Sequence, residues 1–144
     1  MAWIVYACTH CRAGTAFGKN GNSKSAVKVL TDSLQSEAGN RCLVFDTSKN
    51  CKATVKQNIE YISNGKYEFS VYVKSAGSEN AELNILINTD DKTLKKRVNA
   101  CATWQKVILS NIAVRKNRAS IEIVSGMNST GKILVDEARF ILTK

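Results

Sequence analysis

The feature that most constrains this chain is an alternation of side chains with period two. In Tyr67-Glu-Phe69-Ser-Val71-Tyr-Val73 one set of alternate positions is apolar, and the other carries Glu68, Ser70 and Tyr72, followed by Lys74. Successive side chains on a strand point to opposite faces, so such a segment buries one face and wets the other. Leu83–Asn88, Val107–Leu109 and Ser120–Val124 repeat the pattern, and the last strand, Ile133–Leu142, has Asp136 in its middle. Trp3–Ala7, Ser25–Leu30, Arg41–Phe45 and Thr54–Tyr61 read as further strands, and only Leu30–Glu37 reads as a short helical turn.

Turn residues separate nearly all of these runs, at Gly18–Asn22, Ala38–Asn40, Ser63–Gly65, Ser75–Ser78, Asn88–Asp91 and Ser125–Gly131. Asn64-Gly65 is the strongest of them, because both residues tolerate the positive φ of tight turns. Short strands at this spacing predict an all-β antiparallel sandwich of about eight to ten strands. The length, 144 residues, fits one domain spanning 1–144 that buries enough surface to fold without metals or disulfides.

Composition excludes several classes. No apolar run approaches the roughly 20 residues of a membrane-spanning helix. Met1–Cys8 is apolar but lacks a preceding basic residue and a long enough apolar stretch, so it reads as a strand and not as a signal peptide. The net charge is +9, which attracts polyanions in general. The basic residues are nonetheless scattered. The tight groups, Lys95-Lys96-Arg97 and Arg115-Lys116-Asn117-Arg118, have no flanking aromatics to stack on bases and read as solvated loops between strands. That pattern argues against nucleic acid as a partner.

The chain has five cysteines and one histidine. Cys8-Thr-His10-Cys11 has the look of half a zinc site, but no second Cys-x-x-Cys completes it. Two readings of the thiols stay open. They are reduced, buried and act as small hydrophobes, or they form disulfides in a secreted protein, with Cys42 and Cys51 bridging neighbouring strands or a loop. Catalysis has little support. Glu68 and Glu82, expected on neighbouring strands, are the carboxylates that could approach each other, and no nucleophile elbow, P-loop or dinucleotide fingerprint occurs. Cys11 and His10, adjacent on a strand, would point to opposite faces.

The order of segments is more specific than any one of them. Gly21-Asn-Ser-Lys-Ser25-Ala-Val-Lys-Val29 is followed by Val55-Lys-Gln57-Asn-Ile59, Gly65-Lys-Tyr67-Glu-Phe69-Ser70-Val-Tyr72-Val-Lys74, Thr103-Trp104-Gln-Lys-Val107-Ile-Leu109 and Ile133-Leu-Val135-Asp136-Glu-Ala-Arg-Phe140. Over about residues 20–142 this order resembles carbohydrate-binding modules of families 4, 9, 16 and 22. The resemblance implies a jelly-roll sandwich, similar to galactose-binding domains, that holds polysaccharide or oligosaccharide chains without cleaving them. It implies a secreted protein attached to a larger enzyme, or a cytoplasmic one if the domain stands alone.

The resemblance also implies a structural calcium, with Asp136 at the position of the closing metal-ligating aspartate. The opening strand that supplies a second acidic ligand in the family is missing, whereas calcium takes six to eight oxygens. Sugar recognition needs aromatic rings for the C–H faces of pyranoses and amides or charges for the hydroxyls. Gln57 matches a glutamine that faces the ligand in the family. Tyr72 and Asn84 lie on the polar sides of their strands, and together the three form the expected binding patch. Trp3 and Tyr6 offer a second aromatic platform, while Tyr67, Phe69 and Trp104 are assigned to the core. The basic balance favours acidic or mixed polysaccharides. Two alternatives compete with sugar binding. One is a stand-alone sandwich for protein interaction or assembly, whose unpaired edge would invite a homo-oligomer. The other is a polyanion binder using Lys95–Arg97 and Arg115–Arg118.

Overall fold

The computed structural model describes residues 27–31, 41–46, 54–76, 81–125 and 131–144. Among these residues nine strands run in the order β1 Val27–Thr31, β2 Arg41–Asp46, β3 Thr54–Glu60, β4 Gly65–Ala76, β5 Ala81–Asn88, β6 Thr93–Ala100, β7 Gln105–Val114, β8 Arg118–Ser125 and β9 Lys132–Leu142. They form a five-stranded sheet, β1-β2-β9-β4-β7, and a four-stranded sheet, β3-β8-β5-β6. Every pairing is antiparallel. The chain is an all-β jelly-roll sandwich. The strand expected over Trp3–Ala7 lies outside the described residues. So does most of the Leu30–Glu37 segment, whose first residues belong to β1.

The alternation explains why these segments pair face to face. On β4, Tyr67, Phe69, Val71 and Val73 point inward and are buried, and on β5 Leu83, Ile85 and Ile87 do the same from the other sheet. Phe69, Val71, Val73, Leu83, Ile85 and Ile87 are fully enclosed. Each such side chain contributes roughly 1.5–3 kcal/mol by leaving water. Tyr67 stacks on Phe140 with ring centroids 4.6 Å apart and donates its hydroxyl to the Ser63 carbonyl at 2.8 Å. The core assignments of Tyr67 and Phe69 hold.

Two bulges flank β4 and keep the apolar face inward. Tyr67 pairs with Ile112 while Phe69 pairs with Leu109, so β7 carries an extra residue there, and Asn111 takes a positive φ of 58°. Ser70 pairs with Arg139 while Tyr72 pairs with Asp136, so β9 bulges too, with Glu137 at φ 51°. The extra residue flips the parity of everything beyond it. Val107 and Leu109 are therefore followed by Ile112 and Val114 as inward residues, and Ile133 and Val135 by Phe140.

Gly65 opens β4 where the C-terminal residues cross it. A Cβ there would sit 2.5 Å from the Lys144 carbonyl oxygen and 2.7 Å from a Leu142 methyl. The Lys66 amide donates to that same oxygen at 2.8 Å, so the approach is part of the ladder.

One sequence reading is corrected here. Lys95-Lys96-Arg97 is not a loop but the middle of β6, an edge strand of the four-stranded sheet. Leu94, Val98 and Ala100 hold it to the core. Charged side chains on an edge strand keep it from pairing with another chain, and they mask its alternation in the sequence.

Candidate functional site

The three residues expected to form one patch do not meet. Asn84 alternates with buried Leu83 and Ile85 and lies on the outer face of the four-stranded sheet. Tyr72 alternates with buried Val71 and Val73 and lies on the outer face of the other sheet. Gln57 shares its parity with buried Val55 and Ile59, opposite Ile121, so it points to the inner side of edge strand β3. Its Oε1 is buried and has no hydrogen-bond partner among the described residues. Parity turns Gln57 inward, and sheet membership separates Tyr72 from Asn84: alternation assigns a face within a strand, but β4 and β5 belong to different sheets. Glu68 and Glu82 separate for the same reason. Glu68 accepts from Ser110 Oγ at 3.0 Å on the five-stranded sheet, and Glu82 pairs with Arg97 at 2.5 Å on the four-stranded one. Trp3, Tyr6 and the Cys8–Cys11 group lie outside the described residues.

The outer face of the four-stranded sheet is polar and internally paired. Asn88 donates to Ser120 Oγ at 3.3 Å and Glu122 Oε1 at 3.4 Å, and its own oxygen accepts from Thr93 Oγ1 at 2.7 Å. Lys56 reaches Glu122 at 3.2 Å, and Asn84 donates to Glu82 Oε1 at 3.4 Å. Asn84 and Asn88 are about 13 Å apart along β5, four residues of an extended strand.

At the Asn88 end this face opens into a cleft of about 300 Å³. Asn58 and Glu60 of β3, Asn88–Asp90 at the end of β5 and Arg118–Ser120 of β8 line it. Sequence reasoning missed this site because its parts come from three strands far apart in the chain. Arg118 grips Asp90 Oδ1 through Nη2 at 2.6 Å and Nε at 3.0 Å. The guanidinium holds the Asp90 carboxyl below its usual range, and the carboxylate in turn raises Arg118. Both groups thus keep their charges across neutral pH, and the cleft presents fixed donors and acceptors.

The outer face of the five-stranded sheet differs in chemistry. Cys42, Val44 and Leu134 are buried on it, with Ala76 and Trp104 packed against them. Trp104, expected in the core, is half-buried on this outer face instead. The Lys74 ammonium stands 6.0 Å from its ring centroid, and Lys106 stands 5.9 Å from that of Tyr72. Asp136 pairs with Tyr72 in register, and its Oδ1 accepts the Glu137 amide of the bulge at 2.7 Å. Among the described residues no cluster of three or more acidic, histidine or cysteine side chains forms around it or elsewhere.

Cys101, beyond β6, is exposed and bonded to Thr103, whose contacts lower its thiol pKa. No described helix is long and apolar enough to cross a membrane.

No protein-family model and no curated protein matches the chain. Solved structures do. A family 61 carbohydrate-binding module in complex with β-1,4-galactotriose superposes with a TM-score of 0.73 at 18% identity, covering 83% of this chain and 84% of that one. The CBM22-1 xylan-binding domain from Paenibacillus barcinonensis Xyn10C gives 0.57 at 20% identity, covering 94% and 86%. The enzymatically active domain of bacteriophage CBA120 tailspike protein 4 gives 0.62 at 13% identity, covering 81% of this chain but 18% of that one. The order of strands, the two sheets and these likenesses agree: the chain has the β-sandwich jelly-roll fold of the carbohydrate-binding modules.

Proposed function

We propose that the chain binds carbohydrate without cleaving it, through the outer face of the four-stranded sheet and the cleft at its Asn88 end. The observation that carries this reading is the cleft itself. Two amide side chains, Asn58 and Asn88, converge there beside the locked Arg118–Asp90 pair. Amides and fixed charges of this kind pair with sugar hydroxyls, and a few placed polar groups set orientation in a small-molecule site. Support also comes from the structural neighbours, one holding β-1,4-galactotriose and another described as xylan-binding.

The ligand of this face is a neutral sugar chain. Although the whole protein is basic, most cations here are matched: Lys56 with Glu122, Arg97 with Glu82, and Arg118 with Asp90. Lys95, outward on β6, has no ion pair among the described residues. Outward Glu60 offsets that charge in number, so the face offers hydrogen bonds with little net field. Glu68 and Glu82 stand on opposite faces of the sandwich and cannot serve as a hydrolytic pair, and in the cleft Asp90 is held ionised by Arg118, which suits binding over general-acid work. The test is affinity gel electrophoresis against soluble β-1,4-galactan and xylan, with Asn58→Ala and Arg118→Ala alongside. Retardation of the wild type that both substitutions relieve supports the site. Retardation unchanged in both would place the sugar elsewhere, and no retardation on any neutral glycan would remove the reading.

A further inference from the structure

On the far side of the sandwich, two aromatic rings and two lysines alternate like squares of a board. In one row Lys74 of β4 faces Trp104 at the entry to β7. In the next, about 7 Å along the strands, Tyr72 of β4 faces Lys106 of β7, with the order of ring and cation reversed. Each ammonium stands over its ring near the 6 Å limit of cation–π attraction, a loose contact that a ligand can displace, and both rings are partly exposed. Neither lysine forms a salt bridge among the described residues. The four-stranded face differs: Lys56, Arg97 and Arg118 are matched by carboxylates, and no aromatic side chain appears on the described outer positions.

We propose that this checkerboard is a second ligand site, which takes an anionic saccharide, a chain bearing uronate carboxylates. A pyranose stacked on Tyr72 or Trp104 supplies apolar C–H bonds to the ring, and its carboxylate then lies beside the flanking ammonium. Rings alone would accept any pyranose; ammonium groups alone would accept any polyanion. The pairing of each ring with a cation selects a sugar that carries a charge. The Tyr72 backbone is fixed between two ladders, to Lys106 on one side and Asp136 on the other, so its ring is presented from a rigid strand. The proposal rests on the carbohydrate reading of the fold, but on a different face and a different ligand class from the cleft.

The experiment titrates the full chain with oligogalacturonate and with the same oligomer fully methyl-esterified, which keeps the rings and removes the charge. Wild type should bind the acid about ten-fold more tightly than the ester, a few-fold for each exposed lysine–carboxylate contact. Lys74→Gln with Lys106→Gln should abolish that preference while leaving the ester and neutral galactan unchanged. Tyr72→Leu should weaken acid and ester alike by about ten-fold, since stacking serves both. These substitutions lie on the surface, and an unchanged melting temperature confirms that the variants fold.

Equal binding of acid and ester by the wild type would overturn the proposal. So would a preference that survives the double lysine substitution, or one that disappears with Arg118→Ala instead. A single-stranded oligonucleotide that binds more tightly than oligogalacturonate, and depends on the same residues, would replace the ligand class and overturn it as well. Retention of neutral glycans without any binding of the acid sinks this second site alone. Absence of all sugar binding sinks the carbohydrate reading with it.

Discussion

The two outer faces of the sandwich are built on the same core yet have opposite chemistry. The four-stranded face is a field of amides and matched ion pairs, ending in the cleft between Asn58, Asn88 and Arg118. The five-stranded face has aromatic rings with lysines over them that form no salt bridge among the described residues, next to the buried cluster of Cys42, Val44 and Leu134. The difference teaches that net charge does not report a ligand. A chain of +9 contains one face that is locally balanced, because short-range pairing decides the field that a bound molecule meets.

The comparison can be broken most strongly from the shared core. Phe69→Ala empties a fully enclosed position between the sheets and should cost about 3–5 kcal/mol in a denaturant melt. Both faces should then lose their ligands at the same denaturant concentration. Separate loss would mean that the two sheets fold as independent units.

Gly65→Ala should act on the five-stranded sheet, where the new Cβ meets the Lys144 carbonyl at 2.5 Å. We expect a loss of about 1–3 kcal/mol in the same melt. Faster amide exchange should appear at Lys66 and Thr143 but not along β5. Uniform exchange across both sheets would contradict a local effect. Arg118→Ala sharpens the contrast from the other side. It should reduce retardation on neutral polysaccharide about ten-fold, the scale of losing a charge-assisted contact. Binding of oligogalacturonate should be untouched.

The smallest effect is on pH. The Asp90 carboxyl is held below its usual value by Arg118, so its contribution to stability is present above that ordinary value. It is lost as pH falls through the lowered folded one. Melting temperature should therefore be insensitive to Asp90 from pH 8 to 5 and decline on further acidification. The decline should be shallower in Arg118→Ala. An equal slope in both proteins would show that the pair adds nothing, a common outcome for exposed ion pairs.

Much of the fold was legible in the chain. The alternation of β4 and β5 was plain, but the parity slips from Leu109 to Ile112 and from Val135 to Phe140 took on meaning only once β7 and β9 were paired with β4. What escaped was β6, where Lys95, Lys96 and Arg97 cover the pattern of an edge strand, and Lys96 turns to the Ile108 carbonyl at 3.0 Å. Trp104 escaped as well, since an aromatic at the entry to a strand looks like core until its sheet is known.

The sequence by itself determined which segments are strands and which side of each is apolar, because those follow from local geometry and a period of two. Only the tertiary structure decided that β4 and β5, consecutive in the chain, belong to different sheets. That single fact parts Tyr72 from Asn84 and Glu68 from Glu82, whereas Gln57 points inward by its own parity with Val55 and Ile59. The pairing of β3, β8 and β5 gathers Asn58, Asn88 and Arg118 into a cleft. Pairing across a sheet joins residues far apart along the chain, and nothing in a local alternation encodes which partner each strand will find.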